Sequence, residues 1–208
     1  MSGPAIGIDK ARGGWIAVTL HDGRFHRAQF VERLAQFDGG DARHIAIDIP
    51  LSFPSTGRRP AELEARRLLG RRASTLFLTP PADVVSGDWN DARAAGVSKQ
   101  MWNLTPSIHE AREVCGDNWI EAHPELVFVA LAGGELAPKK TWNGQRQRLG
   151  LLEAQGVHIP DDLGNCGRVA PDDVLDAGVC AILADRHPGS TRPLGGDPAV
   201  AIWTLRDL

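Results

Sequence analysis

The first thirty residues contain three short, mainly apolar stretches separated by turn residues. The stretches cover residues 5–9, 14–20 and 24–30, and Asp22-Gly23 joins the second to the third. An Asp-Gly pair between two apolar runs is a strong signal for a tight β-hairpin. The pattern therefore predicts an antiparallel meander of three strands.

A fourth strand is predicted after a helical segment. Residues 31–37 carry apolar residues at helical spacing, and residues 44–49 are almost continuously apolar, which is typical of a strand buried on both faces. A strand that returns through a crossover helix normally lies parallel to one already in the sheet. If it lies beside the first strand, Asp9 and Asp48 emerge together at the carboxyl ends of neighbouring strands, where ligands of open α/β sheets bind.

The pattern changes over residues 50–118. This segment is irregular and contains several prolines, although Pro60 can open a helix that runs to about Leu69. It is too long for a simple connection between two strands. We interpret the chain as a single domain over residues 1–208, with residues 50–118 inserted as a cap over one edge of the sheet.

Beyond the insert, the sheet resumes at residues 119–125 and three helical patterns follow. The first is "LVFVALAGG", which ends in glycines, and the second covers residues 142–156. The third covers residues 171–189 and begins with a proline and two acids, which are typical of a helix N-terminus. Strands mixed with helices in this way predict an α/β fold with a mixed sheet.

Composition narrows the class of protein. With 42% hydrophobic and 24% charged residues among 208, the chain can bury one core and carry an insertion. The net charge of −3 gives the whole protein no electrostatic attraction to duplex nucleic acid. A polyanionic partner would therefore have to bind a local basic patch.

Cysteine usage and hydropathy indicate the compartment. The three cysteines are an odd number without a Cys-x-x-Cys pair, which predicts neither a disulfide framework nor a zinc site. No signal-peptide pattern and no run of roughly 18 apolar residues is present. We expect a cytoplasmic protein that has no membrane partner.

Acidic residues recur at the predicted strand ends and at the start of the last helix. Asp9, Asp48 and Glu121 belong to strands, whereas Asp173 and Asp176 are three residues apart on one helix face, within about 5–6 Å of each other. Acids are depleted in strands and costly to bury alone, so a shared cation is a common explanation for all five. Mg²⁺ and Mn²⁺ prefer oxygen ligands, and two such ions about 3.5–4 Å apart can activate water and stabilise the leaving oxygen of a phosphodiester.

Each acid also has a purely structural interpretation. Asp is a common turn residue because it hydrogen-bonds its own backbone. Acids in the first turn of a helix complement the helix dipole. This second explanation suits Asp172 best and Asp176 least, because Asp176 lies one turn inside the helix.

Five ordered segments resemble a known family. A meander with Asp on its first strand, a parallel fourth strand ending in an acid and a final helix with Asp-x-x-Asp-Ala resembles the RNase H-like superfamily, especially its Holliday-junction-resolvase branch. More specifically, the chain resembles domain-of-unknown-function family 429, described as predicted RNase H-like nucleases. The matching segments are "GIDKARGGW", "IDIPLSFP", "EARRLLGRRASTLF", "WIEAHPELVF" and "DDVLDAGVCAILA". The resemblance implies a five-stranded RNase H-like sheet, mixed and flanked by helices, with a carboxylate site.

One residue departs from the family pattern beside the first acid. Lys10 stands where Gly usually follows Asp9, so its ammonium group could pair with Asp9 and compete with a metal. Because neighbouring residues of a strand face opposite sides, it could equally point away.

Basic residues are concentrated in two segments. Residues 58–72 carry six arginines against two glutamates, and Arg66 is the best candidate for phosphate contact because the resembled motif also has Arg there. Lys139 and Lys140 begin the second segment. Either segment could be a solvated, ion-paired surface or a phosphate-binding one. His123 could be a general base, a metal ligand or a substrate contact, or belong to a structural His-Pro turn.

Together these features predict a divalent-metal-dependent nuclease or other phosphodiester hydrolase that uses Mg²⁺ or Mn²⁺. The alternatives are a non-catalytic module that binds nucleic acid or nucleotides, and another phosphoryl-transfer enzyme. Positive charge confined to two segments predicts few phosphate contacts, and a cap would narrow access to the acids. Both favour a short, single-stranded or distorted nucleic acid, or a nucleotide, over a long duplex. The oligomeric state stays open.

Overall fold

The computed structural model describes residues 3–206, which form a mixed sheet of seven strands flanked by helices. The strands are β1 (Ala5–Ala11), β2 (Gly14–His21), β3 (Arg24–Val31), β4 (His44–Ile47), β5 (Trp119–Ala122), β6 (Thr191–Leu194) and β7 (Ile202–Leu205). The α-helices are α1 (Pro60–Leu69), α2 (Ala82–Val85), α3 (Trp89–Ala94), α4 (Lys99–Val114), α5 (Pro124–Ala132), α6 (Trp142–Ala154) and α7 (Pro171–Arg186). Within these residues, no helix is long and apolar enough to cross a membrane.

The strand order is β3-β2-β1-β4-β5-β7-β6. Strands β1, β2 and β3 form the predicted antiparallel meander, and β4 pairs in parallel with β1. Strands β5 and β7 continue the parallel part, and β6 returns antiparallel to β7. The carboxyl ends of β1, β4 and β5 therefore meet at one edge of the sheet.

Two expectations from the sequence are wrong. The sheet has seven strands instead of five, because β6 and β7 follow the last helix in four-residue stretches too short to show a period. The helix expected over residues 31–37 is also absent: Val31 completes β3, and only a single 3₁₀ turn, Leu34–Gln36, follows. The apolar residues that suggested a helix belong instead to the end of β3 and to the 3₁₀ turn, where Val31, Leu34 and Phe37 pack into the core.

The sheet is covered on both faces. Along β1, Ile6 and Ile8 face a core that includes Met101 and Ile108 of α4, whereas the odd-numbered residues face the opposite core around α7. This alternation is the period of a β-strand. Asp9 is odd-numbered, so its carboxylate is on the α7 side of the sheet.

Residues 50–118 lie between β4 and β5. Their longest helix, α4, packs on the face of the sheet opposite α7. Helix α4 is longer than the sequence pattern indicates and accommodates Pro106 in its interior. Glu110 of this helix accepts hydrogen bonds from the Trp15 indole N–H, at 3.0 Å, and from the Leu34 amide, at 2.5 Å. These two bonds fix α4 against the meander.

Gly7 allows α7 to pack directly on β1. A Cβ atom at Gly7 would lie 2.1 Å from the Ala177 carbonyl oxygen and 2.1 Å from the Ala181 amide nitrogen. Both are backbone atoms, which cannot rotate away as a flexible side chain can. The absence of a side chain at residue 7 therefore sets the distance between strand and helix, and with it the position of the α7 acids relative to Asp9.

We expect Gly7→Ala to lower the free energy of unfolding by about 1–3 kcal/mol, the usual cost of overpacking, because the added methyl group must push α7 away from β1. Urea denaturation measures this value. The matched control is Gly150→Ala in α6, where a Cβ would meet open space; helix propensity alone should raise its stability by roughly 0.5–1 kcal/mol. Equal effects of the two substitutions would contradict the packing argument.

Candidate active site

A cavity of about 660 Å³ opens at the carboxyl ends of β1, β4 and β5. Its walls come from the sheet edge, the insert, the loop before α6 and the first turns of α7. The charged and titratable groups that line it are Asp9, Lys10, Asp48, Glu62, Arg72, Glu121, His123, Glu125, Lys139, Lys140, Asp173 and Asp176. The structure thus brings every sequence-predicted site residue except Arg66 to one cavity.

Asp9 and Asp48 lie side by side, because β1 and β4 are parallel neighbours in which Ile8 pairs with Ile47. The Asp48 amide also donates to the Ile8 carbonyl oxygen at 2.9 Å. Burial, followed by the nearby carboxylates of Asp48 and Asp176, raises the pKa of Asp9 well above its usual value. Burial and Asp176 raise the pKa of Asp48 to about 7, and a side-chain hydrogen bond from Asp9 partly offsets this.

Asp173 and Asp176 approach the pair from the first turns of α7. Asp176 is buried, with 2% of its surface exposed, and it forms a 2.6 Å ion pair with Lys139. Asp173 is half-buried, and burial together with Asp172 raises its pKa to about 6. Lys139 holds its charge against burial because the carboxylates of Asp176, Asp9 and Asp48 raise the pKa of its ammonium group. One lysine therefore balances four neighbouring acids only in part.

The side-chain chemistry fits a hard divalent cation, since carboxylate oxygens are the preferred ligands and their mutual repulsion is only partly neutralised. The geometry is less complete. Among residues 3–206, no three His, Cys, Asp or Glu side chains are grouped so that they could hold a metal ion. We expected Asp9, Asp48 and one acid of α7 to lie close enough to share a metal ion. This expectation is not met in the present arrangement, because Asp176 is paired with Lys139.

Glu121 lies at the same sheet edge but is engaged by the insert. Arg59 donates to both of its carboxylate oxygens, at 2.7 and 2.6 Å, and the Leu51 amide donates at 2.9 Å. Arg59 also pairs with Glu62 at 3.3 Å, whose carboxylate accepts from the Thr79 amide. This buried network joins the residues on either side of α1 to β5. Within residues 3–206, Glu121 therefore has a buried arginine as its partner, whereas Asp9 and Asp48 have none.

A second network involves Glu125, which is buried in the first turn of α5. Arg72 of the insert and Arg148 of α6 each donate to one of its oxygens, at 2.5 and 2.6 Å. The fully buried Arg148 also donates to the Ala137 carbonyl oxygen at 3.0 Å. A single carboxylate thus connects the insert, α5 and α6. The arginine-rich composition gives no sign of which arginines are buried, so the sequence did not single out Arg59, Arg72 or Arg148.

His123 faces the cavity with no hydrogen-bond partner in the described part of the chain. Both ring nitrogens are buried and unpaired. Burial lowers the pKa of His123 to about 4, although Glu125 partly opposes the shift, so the ring is neutral at pH 7. A neutral imidazole offers one donor and one acceptor, which suits a polar ligand group better than a phosphate charge.

The remaining basic residues are divided between the cavity and the surface. Lys140 is exposed at the cavity wall, whereas Arg66 lies on α1 outside the lining. Lys10 turns away from Asp9 and donates to the Gly14 carbonyl oxygen at 2.8 Å. Of the two orientations that the sequence left open for Lys10, the structure shows the one without an ion pair to Asp9. The cation that pairs with the acids is Lys139.

Fold and site together define a mixed α/β protein with an acidic cavity at the carboxyl edge of its parallel strands. The chain belongs to the family described as protein of unknown function DUF429, whose model matches residues 7–200. Comparison with the curated proteins and with the solved structures found no match.

We expect stability to fall as the cavity acids lose their protons. The folded pKa of Asp48, about 7, lies above 3.8, the usual value of an aspartate. The stability that the protonated Asp48 contributes is therefore fully present below pH 3.8 and is lost as the pH rises through 7. Asp48→Asn should therefore stabilise the protein at pH 8 by at least ~1 kcal/mol more than at pH 5, the equivalent of about one pKa unit. Urea titrations in EDTA at both pH values measure the difference.

The control for this comparison is Asp161→Asn, because Asp161 is an exposed loop residue. Its effect should be the same at pH 5 and pH 8. An Asp48→Asn effect that does not change with pH would contradict the proposed repulsion between the acids.

We expect Arg59→Met to lower the free energy of unfolding by about 3–5 kcal/mol, since it leaves Glu121 and Glu62 buried without a cation. Arg71→Met is the matched control: Arg71 and Glu135 are 89% and 78% exposed and 4.0 Å apart, and their separation should change stability by less than about 0.5 kcal/mol. Adding Glu121→Gln to Arg59→Met should recover part of the loss. If the double variant is no more stable than Arg59→Met, the buried charge is not the cause.

Proposed function

We propose that this protein is a divalent-cation-dependent phosphodiester hydrolase, most simply a nuclease. The observation that carries the proposal is the convergence of Asp9, Asp48, Asp173 and Asp176 on one cavity, with raised pKa values and a single lysine as their partial counter-charge. Perturbed carboxyl groups that share a cleft are typical of catalytic sites.

The fold supports the same proposal. We infer that β1 to β5, in the order β3-β2-β1-β4-β5, form an RNase H-like core to which β6 and β7 are added. In this interpretation α7 supplies the Asp-x-x-Asp pair of the site. Residues 50–118 act as a cap, because Leu76, Phe77 and Met101 line the cavity.

Asp9 and Asp48 are the residues that would hold Mg²⁺ or Mn²⁺, with Asp176 as a further ligand once Lys139 turns toward the substrate. A bound cation would supply water of lowered pKa and stabilise charge on the leaving oxygen. Lys139 and Lys140 are placed to neutralise the phosphate. The ammonium group of Lys139 would then leave Asp176 and pair with a phosphate oxygen, so that it has a negatively charged partner both before and after the substrate binds.

Asp173 is suited to move the proton. A general base works best when its pKa lies near the operating pH, and the pKa of Asp173 is about 6. It can accept a proton from the attacking water while the new P–O bond forms and the bond to the leaving oxygen breaks. The neutral ring of His123 can meanwhile hydrogen-bond a hydroxyl group of the substrate.

One observation favours a second candidate, a module that binds nucleotides or nucleic acid without cleaving them. The 2.6 Å ion pair between Lys139 and Asp176 already satisfies one acid, and no three-residue metal group is present among residues 3–206. Calorimetric titration with Mg²⁺ and Mn²⁺ separates the two candidates, because a binding module has no need to take up either ion.

We expect the wild-type protein to bind Mn²⁺ and to cleave bis(p-nitrophenyl) phosphate, with Asp9→Asn and Asp48→Asn each lowering kcat/KM at least ~100-fold, or ~3 kcal/mol. Both variants should also lose the rise in melting temperature that millimolar Mn²⁺ gives the wild type, since a ligand of the native state stabilises it. Release of p-nitrophenol and thermal melts provide the two readouts.

Asp161→Asn controls for removal of an acid and should behave like the wild type in both assays. Lys140→Ala should raise KM, whereas Arg66→Ala, outside the cavity lining, should leave it nearly unchanged. Binding of oligonucleotide without uptake of Mn²⁺ and without cleavage would replace the hydrolase with the binding module.

A further inference from the structure

Trp142 differs from the other five tryptophans of the chain. Its side chain is 74% exposed, whereas the others are buried or half-buried. Trp142 is the first residue of α6. The guanidinium group of Arg146, one turn further along, lies 5.9 Å from the centroid of its ring. The protein therefore presents a large aromatic surface beside a positive charge.

This surface lies next to the wall of the acidic cavity along the chain. Lys139 and Lys140, which line the cavity, precede Trp142 by three and two residues. Lys139 is held at 2.6 Å by Asp176. Since consecutive Cα atoms are about 3.8 Å apart, the Cα atom of Trp142 lies within about 8 Å of the Cα atom of Lys140 at the cavity wall.

The segment that carries these residues is firmly attached to α6. A Cβ at Gly144 would lie 2.0 Å from the Pro138 carbonyl oxygen, so the loop packs directly on the helix. The Gly144 amide donates to the Thr141 hydroxyl at 3.1 Å, and the Ala137 amide donates to the Gln147 side chain at 2.7 Å. The position of Trp142 relative to the acids is thus set before any ligand arrives, which reduces the entropy that binding must overcome.

We propose that Trp142, together with Lys140 and Arg146, is a stacking platform for an unpaired base of a single-stranded nucleic acid whose backbone runs into the acidic cavity. The proposal rests on the proposed function in one respect, namely that the cavity receives a phosphodiester. It adds a substrate class, because a base on Trp142 requires a strand longer than a single nucleotide and free of a pairing partner. Aromatic side chains flanked by basic ones bind single strands in this way, since every base has a face that can stack.

The experiment measures binding of fluorescently labelled single-stranded oligonucleotides in EDTA by anisotropy, so that no cleavage is required. We expect Trp142→Ala to weaken binding about tenfold, within the range that stacking of one base supplies, and Trp142→Phe to retain most of the affinity. Arg146→Gln should cause a smaller loss and a shallower salt dependence. DNA and RNA oligonucleotides are tested separately, and whichever binds more tightly identifies the source of the base.

One control tests stacking and a second tests charge. An oligonucleotide with abasic positions should bind wild type and Trp142→Ala equally, because neither complex has a base on the ring. Arg24→Gln is the charge control for Arg146→Gln, because Arg24 is also exposed but lies far from Trp142. Its neighbour Gly23 contacts Gly156, which follows the C-terminal end of α6, whereas Trp142 is at the N-terminal end. This substitution should leave the affinity unchanged.

Equal binding of base-containing strands by wild type and Trp142→Ala would overturn the platform, as would a failure of the wild type to bind any single strand. A shift from dimer to monomer in Trp142→Ala, measured by sedimentation without a change in nucleic-acid binding, would reassign the surface to self-association. These outcomes are separate from the hydrolase, which is judged on bis(p-nitrophenyl) phosphate. Cleavage of that ester can succeed without the platform, and the platform can bind strands when cleavage fails.

Discussion

The close contact between α7 and β1 at Gly7 is the constraint on which the rest of the site depends. A helix that approaches a strand this closely shields the strand from water over its whole length, and it carries its own acids to the end of that strand. Asp9 and Asp176 are consequently buried together, although like charges in a low-dielectric setting repel. The packing energy of the core, supplied by the apolar remainder of α7, stabilises an arrangement that electrostatics alone opposes.

Lys139 reduces the repulsion between the buried acids. Its ammonium group is half-buried among carboxylates, and its position comes from a loop that is anchored to α6 by Gly144. The negative charge of the cavity is therefore partly neutralised by Lys139, a side chain from outside the sheet. A long, flexible lysine can leave one acid for another anion without any movement of the backbone, whereas Asp9 and Asp48 are fixed by the strand ladder.

Much of this could be predicted from the sequence because it depends on local pattern. The meander, the parallel return of β4 and the meeting of Asp9 and Asp48 follow from alternation, turn residues and the handedness of crossovers. What could not be predicted depends on long-range partners. Nothing near Arg59 or Arg72 in the chain indicates that these residues pair with Glu121 and Glu125. The short strand β7 is defined by its pairing with β5 and β6, which lie far from it or show no pattern of their own. Arg66 was preferred over these arginines because a local motif was the only information present.

The arginines of the insert have a consequence for the sheet itself. Arg59 neutralises Glu121 of β5, and Arg72 shares Glu125 of α5 with Arg148. Removal of residues 50–118 would leave Glu121 as a buried carboxylate without its cation, whereas Glu125 would keep Arg148. Shortening of the insert would therefore have to be accompanied by replacement of Glu121. The cap and the sheet edge beneath it are therefore one electrostatic unit, because a carboxylate of β5 is neutralised by an arginine of the cap.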